Sequence, residues 1–185
     1  MREKILQLIQ GIQPVDEFER THQEDALRWI ESGVEIFRIE KPDKPPKHLV
    51  SYFVVVDIGN KSILLVDHIK AELWLPAGGH IEKGEHPKTT VEREALEELN
   101  IQSKFLSEEP FFITITTTVG KTAGHVDVSL WYILTANVED PIRYDSGEFN
   151  GYKWWTFDEI LNSDIRSFDP HMHRLTHKLK TCLGT

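Results

Sequence analysis

The stretch from Gly78 to Ile101, GGHIEKGEHPKTTVEREALEELNI, constrains this chain more than any other. It sets Glu94, Glu97 and Glu98 at i, i+3 and i+4 of an expected helix, just behind a Gly-Gly loop. Residues at that spacing project from one helix face. Like charges there repel, so the arrangement costs stability unless something positive sits between them. A hard divalent cation with oxygen ligands, Mg²⁺ or Mn²⁺, meets that need. The plainer reading is a solvated acidic face, which is what charge runs usually are.

The surrounding residues decide between the two, because the segment resembles the Nudix hydrolase box. Gly79 opens it, Glu85 follows, then come Arg93-Glu94, Ala95 and Glu97-Glu98, and Ile101 closes it. One position departs from the family pattern: its last glycine is Asn100 here. That site ends the helix, where left-handed backbone is wanted, and Asn is the usual second choice after Gly. The match is long and ungapped, hence far more specific than a short glycine motif.

The resemblance implies a fold and a chemistry. The fold is an α/β/α sandwich with a mixed sheet. The activity is hydrolysis of the pyrophosphate bond of a nucleoside diphosphate linked to another moiety, by metal-assisted attack of water on phosphorus. Glu94, Glu97 and Glu98 are then ligands of Mg²⁺, or of Mn²⁺ in its place, and the backbone carbonyl of Gly78 adds another. Glu94, Glu98, Arg93 and Glu148 form the expected catalytic set. Arg93 enters it through a salt bridge to Glu85 that ties the loop to the helix; a bidentate Arg–carboxylate pair fixes orientation as well as adding energy. Glu148 enters as base or further ligand, because MutT-like members carry a functional Glu in a loop before a Trp, and DSGEFNGYKWW is such a loop. Its competitor is Asp127, which shares a strand face with His125 at i, i+2 and points either into a cleft, to a rim or into the core.

Other residues carry weaker signals. His80 and His86 read as incidental polar loop residues, since a hard-cation site prefers oxygen. His173 and His177 are four apart, but two ligands do not make a zinc site. Trp154 and Trp155 could stack on a base, although strand tryptophans are usually core; alternation turns one inward and one outward. The region ITTTVGK has neither the Pro of ADP-ribose enzymes nor the Tyr of diadenosine polyphosphate enzymes, and the upstream coenzyme A motif is missing. The substrate is left open among nucleotides. A nucleotide-binding or sensing module without turnover is the alternative, though every acid of the box is kept.

Along the chain, residues 1–33 read as helical and 35–41 as a short strand, with a proline-rich connector at 41–47. Residues 1–47 are expected as a helical extension packed on a catalytic domain at 48–185. Gly59-Asn60 signals a hairpin between two apolar strands. Residues 88–99 form the acidic helix with Val91, Ala95 and Leu99 as its buried stripe; strands over 110–120, 125–136 and 152–157 and a last helix over 169–181 follow. A net charge of −9 without a Lys/Arg run argues against duplex nucleic acid. No apolar run is long enough to span a bilayer. The one cysteine, Cys182, fits a reducing cytoplasm. A small nucleotide is the expected partner, and a homodimer is compatible with the sequence.

Overall fold

The apolar run Phe53–Val56 demands cover on both faces of its strand, and the computed structural model supplies it. Phe53 and Val55 join one buried cluster, Val54 and Val56 the other. The structure describes every residue except Pro42, Ala123 and Thr185.

Strand β1 (Lys47–Asp57) is the axis of a mixed sheet. It runs parallel to β6 (Val126–Thr135), in register from Lys47 with Val126 to Val56 with Thr135. Strand β5 (Phe112–Thr117) is antiparallel to β6 and forms the edge. On the other side, β1 turns through Gly59-Asn60 into β2 (Ser62–His68), with the Asp57 carboxylate accepting from the Asn60 backbone and side-chain amides. Strand β7 (Phe149–Thr156) lies antiparallel along β2. Strands β1 and β2 stay paired only at Val55–Asp57. Beyond that, β3 (Leu73–Leu75) pairs with β2 and β4 (Ala77–His80) with β1, and Pro76 joins the two. The sheet forks there, and the fork opens the cleft.

Helix α3 (Pro87–Leu99) lies on one face, with Val91, Ala95 and Leu99 fully buried as the periodicity predicts. Helices α1 (Arg2–Gly11) and α2 (Glu17–Glu31) add Ile5, Ile9, Ala26 and Ile30 to the same cluster. Helices α4 (Phe157–Asn162) and α5 (Met172–Leu183) cover the opposite face with Phe157, Ile160, Met172 and Leu175. The result is the expected α/β/α arrangement. Helix α2 also closes the β5 edge: the Ile115 amide donates to His22 Nδ1 at 3.2 Å. Lys178 Nζ on α5 donates to Glu19 Oε1 on α2 at 2.7 Å, and both groups are buried. No helix among the described residues is long and apolar enough to cross a membrane.

Three local expectations change. The helical stretch 1–33 is two helices, because Pro14 and the cap Asp16, whose side chain accepts from the Glu19 amide, restart the chain. The strand expected over 35–41 does not form. Ile36 O accepts from the Leu49 amide, and the bridge Glu40–Lys44 is isolated; Pro45 and Pro46 lack the donors a ladder needs. The Gly-Gly pair lies in β4 rather than in a loop. Asn100 does take the left-handed conformation, at φ 52° and ψ 40°.

Candidate functional site

Two glycines let β4 lie close to its neighbours, one against β1 and one against α3. Gly78 has φ 145°, and a Cβ there would overlap the Ser51 carbonyl oxygen and stand 2.8 Å from Tyr52 Cα. Without a side chain its backbone packs flush on β1, and its amide reaches Glu98 Oε2 at 2.9 Å. At Gly79 a Cβ would overlap the Glu94 carboxylate. The first glycine is thus set by how closely β4 packs on β1, and the second by the Glu94 carboxylate lying over β4.

Arg93 organises the acids on α3. Its Nη1 donates to Glu94 Oε1 at 2.5 Å, and its Nε and Nη2 donate to Glu85 at 3.3 and 3.2 Å. Nη2 also donates to His80 O at 3.3 Å, which fastens the strand. Glu85 accepts further from the Glu82 amide at 3.0 Å and the Thr90 hydroxyl at 2.8 Å. Burial alone would raise the Glu85 carboxyl, but these donors outweigh it and hold it below its ordinary value.

Glu94 and Glu98 are in the opposite situation. Burial raises both; for Glu94 the neighbouring Arg93 opposes this, while Glu97 and Glu148 add to it. Glu98 is 6% exposed. Its carboxyl is pushed up to about 9 by burial and then by the charges of Glu94 and Glu148, against the single pull of the Gly78 amide. Among the described residues no cation pairs with it. Glu97 is exposed at the rim, with Arg93 Nη1 at 3.5 Å, and does not line the cleft. Glu148 stands just before β7, exposed, its backbone carbonyl accepting from the Ile69 amide at 3.0 Å. The structure therefore brings Gly78, Arg93, Glu94, Glu98 and Glu148 to one cleft and leaves Glu97 at its edge.

That cleft has a volume of about 1380 Å³. Although the chain is acidic, Arg38, Lys41, Lys70, Lys83 and Lys121 border it. Tyr52, His68 and Phe149 supply its aromatic surface. The two tryptophans do not. Both are half-buried against a core cluster, Trp154 on the α3 face and Trp155 on the α5 face, because helices cover both sides of the sheet; the expectation of one outward tryptophan is corrected.

The far end of the cleft holds a group the sequence reading missed in part. His80 is in β4, not a loop, and its ring lies 4.8 Å from that of His48, which lies 5.0 Å from that of His125. Asp127 Oδ1 is 3.4 Å from His48 Nε2 and 3.3 Å from His125 Nε2. Asp43 Oδ2 is 3.4 Å from His125 Nδ1. Burial pushes Asp127 up to about 7, with the charge of Asp43 adding, and pushes His80 down to about 3, with Arg38 and His48 adding. Asp127 is thus tied to histidines rather than to the glutamates. The i, i+2 pair of His125 and Asp127 was visible in the sequence. Its meeting with His48 was not, since that depends on the parallel register placing His48 opposite Asp127.

Asp169 also lines the cleft, 4% exposed, and burial pushes it up to about 7 despite the His171 amide donating to it. No motif marks it in the sequence. His171 bonds Thr116 and Arg174 at 3.1 and 3.0 Å. His177 is exposed and forms no ligand group with His173 among the described residues.

The family model described as NUDIX domain matches residues 47–176. No match is found among functionally curated proteins. A hydrolase of the NUDIX family from Clostridium perfringens is similar at 22% identity, with TM-score 0.57, over 73% of this chain and 97% of that one. The Ap4A hydrolase of C. elegans is similar at 18% identity, with TM-score 0.57, over 73% and 97%. A NUDIX hydrolase from Nitrosomonas europaea is similar at 22% identity, with TM-score 0.57, over 72% and 88%. At these identities the likeness is one of fold.

Proposed function

The chain belongs to the NUDIX domain family, and from that premise we propose that it is a divalent-metal-dependent hydrolase of nucleoside diphosphate derivatives, cleaving the phosphoanhydride by attack of water on phosphorus. The observation that carries this reading is Glu98: a buried carboxyl beside Glu94, with one amide donor and no cation among the described residues. Burying a carboxylate in that way is costly unless a positive charge joins it. An all-oxygen donor set of Glu94, Glu98 and the Gly78 carbonyl, with Glu97 at the rim, suits Mg²⁺ or Mn²⁺. When bound, the ion would offset phosphate charge and make a bound water more acidic.

The chain's own groups do the rest. Glu85 holds Arg93, and Arg93 holds Glu94 and the His80 carbonyl, so the acids keep their places as substrate enters. The bordering Arg38, Lys70, Lys83 and Lys121 attract a polyanion to a cleft whose floor is acidic. Glu148 is the base in this reading. It is exposed, free of the Arg93 network, and close enough to raise Glu94 and Glu98. A carboxylate there can take the proton of the attacking water. Asp127 is the weaker candidate, being held between two imidazoles.

The test is a panel of nucleoside triphosphates, sugar-linked nucleoside diphosphates and Ap4A, each with Mg²⁺ and with Mn²⁺. Phosphate is read with and without added phosphatase. We expect metal-dependent turnover of at least one compound, lost in Glu98→Gln. Binding of a nucleotide with no turnover under either metal would favour a sensing module instead.

A further inference from the structure

The histidine group at the far end of the cleft is not explained by the reaction above. One ligand atom from each of Asp43, His48, His80 and His125 lies within 4.8 Å of the others. His48 is wholly buried, and its Nδ1 bonds the Pro45 carbonyl at 2.8 Å. That bond requires the proton on Nδ1, so Nε2 presents a lone pair. Nε2 of His48, Nε2 of His80 and Oδ1 of Asp127 are all buried without a hydrogen-bond partner. The lone pair of His48 Nε2 and Asp127 Oδ1 thus stand 3.4 Å apart, two acceptors facing one another away from water. A buried polar atom left without a partner is costly, and two facing acceptors call for a common partner.

A proton is the plain alternative. It would sit on Asp127 and answer one imidazole. It cannot also draw together His80, His125 and Asp43, each of which sets a ligand atom within 4.8 Å of the others and of His48. A metal ion can. Bonds of roughly 2.0–2.1 Å at the tetrahedral angle set ligand atoms about 3.3 Å apart. The Asp127 contacts to His48 Nε2 and His125 Nε2 at 3.4 and 3.3 Å have that spacing, and Asp43 offers it instead through the other nitrogen of His125, Nδ1, at 3.4 Å. The Nδ1 donation of His48 to a backbone carbonyl is also how metal-bound imidazoles are usually oriented.

We infer that the cleft carries a second metal site, for a divalent transition-metal ion of the Zn²⁺ class, ligated by His48, His80 and His125 with a carboxylate from Asp43 or Asp127. Imidazole donors select such ions over Mg²⁺, whereas the glutamates on α3 prefer hard cations. The two sites are therefore chemically distinct although they share a cleft. They are joined through β4, which carries Gly78 and, two residues on, His80. Arg38 Nη1 stands 3.9 Å from Asp43 Oδ1 and shares that carboxylate with His125.

The full chain is titrated with Co²⁺ in a large excess of Mg²⁺, reading visible absorption and stoichiometry. We expect one Co²⁺ per chain, displaced by Zn²⁺ and not by Mg²⁺. Glu98→Gln should keep this binding. His80→Gln and His125→Gln should each weaken it more than about ten-fold. Absence of Co²⁺ binding to the unmutated chain overturns the inference. So does equal loss in Glu98→Gln and His80→Gln, which would assign the ion to the glutamates. Circular dichroism melts check that each variant folds, and X-ray absorption at the Co edge counts imidazoles in the unmutated chain directly. A ligand sphere without histidine overturns the site whatever the variants do.

Discussion

Exchanging Glu98 for Gln tests the central claim, that this acid is placed for a cation at the expense of the metal-free fold. Gln keeps the shape, and its carbonyl can still accept from the Gly78 amide. What it loses is the charge. The Glu98 carboxyl is raised from 4.5 to about 9. An acid whose folded value is raised contributes stability that is full below its unfolded value and is lost as pH rises towards the folded one. Each pH unit in that window costs about 1.4 kcal/mol. At pH 7 the metal-free protein therefore carries a penalty of about 3 kcal/mol that Glu98→Gln lacks. For a chain of this size that is about 6–12 °C in Tm. Mg²⁺ reverses the order: at a hundred times its Kd it adds about 2.7 kcal/mol to the unmutated chain, and little to the variant. The assay is thermal unfolding at pH 6, 7 and 8 in EDTA and in Mg²⁺, beside turnover. In EDTA the variant should melt higher, increasingly so as pH rises, and turnover should fall by orders of magnitude. A variant that melts lower in EDTA at pH 8, or that gains as much from Mg²⁺ as the unmutated chain, would show that Glu98 is not placed for a cation.

Other outcomes follow from the same geometry. Glu85→Gln loosens the Arg93 anchor, so stability should drop by about 1–3 kcal/mol and turnover by less than in Glu98→Gln; urea unfolding beside kinetics checks both. Its depressed carboxyl contributes stability present above the unfolded value of 4.5 and lost as pH falls below it, so the gap between the variant and the unmutated chain should narrow in acid. Glu148→Gln should lower kcat with little change in KM and flatten the acidic limb of the pH–rate profile; unchanged turnover and pH dependence would remove it from the chemistry. Lys178→Met strands Glu19 in the core and should cost about 3–5 kcal/mol, with Glu19→Gln added to Lys178→Met recovering part; unfolding of the single and double variants measures the difference.

The acidic helix, its buried stripe, its left-handed end at Asn100 and the hairpin at Gly59-Asn60 were legible because each depends on residues close in sequence. Periodicity, charge spacing and turn chemistry act over one or two turns of chain, and so they survive in a linear reading. The same holds for Glu94 and Glu98, whose spacing alone puts them on one face. The fork between β1 and β2 is different. It arises because β3 and β4 insert between two strands that start as neighbours, and no local pattern encodes that insertion. The strand over 35–41 failed for the related reason that alternation offers a strand but only a neighbour can pair it. His48, His80, His125, Asp43 and Asp169 come from separate segments, and strand register and sheet closure decide that they meet. Burial, which turns Glu98 from a surface acid into one pushed up to about 9, is likewise a property of the packed layers and of no single stretch of sequence.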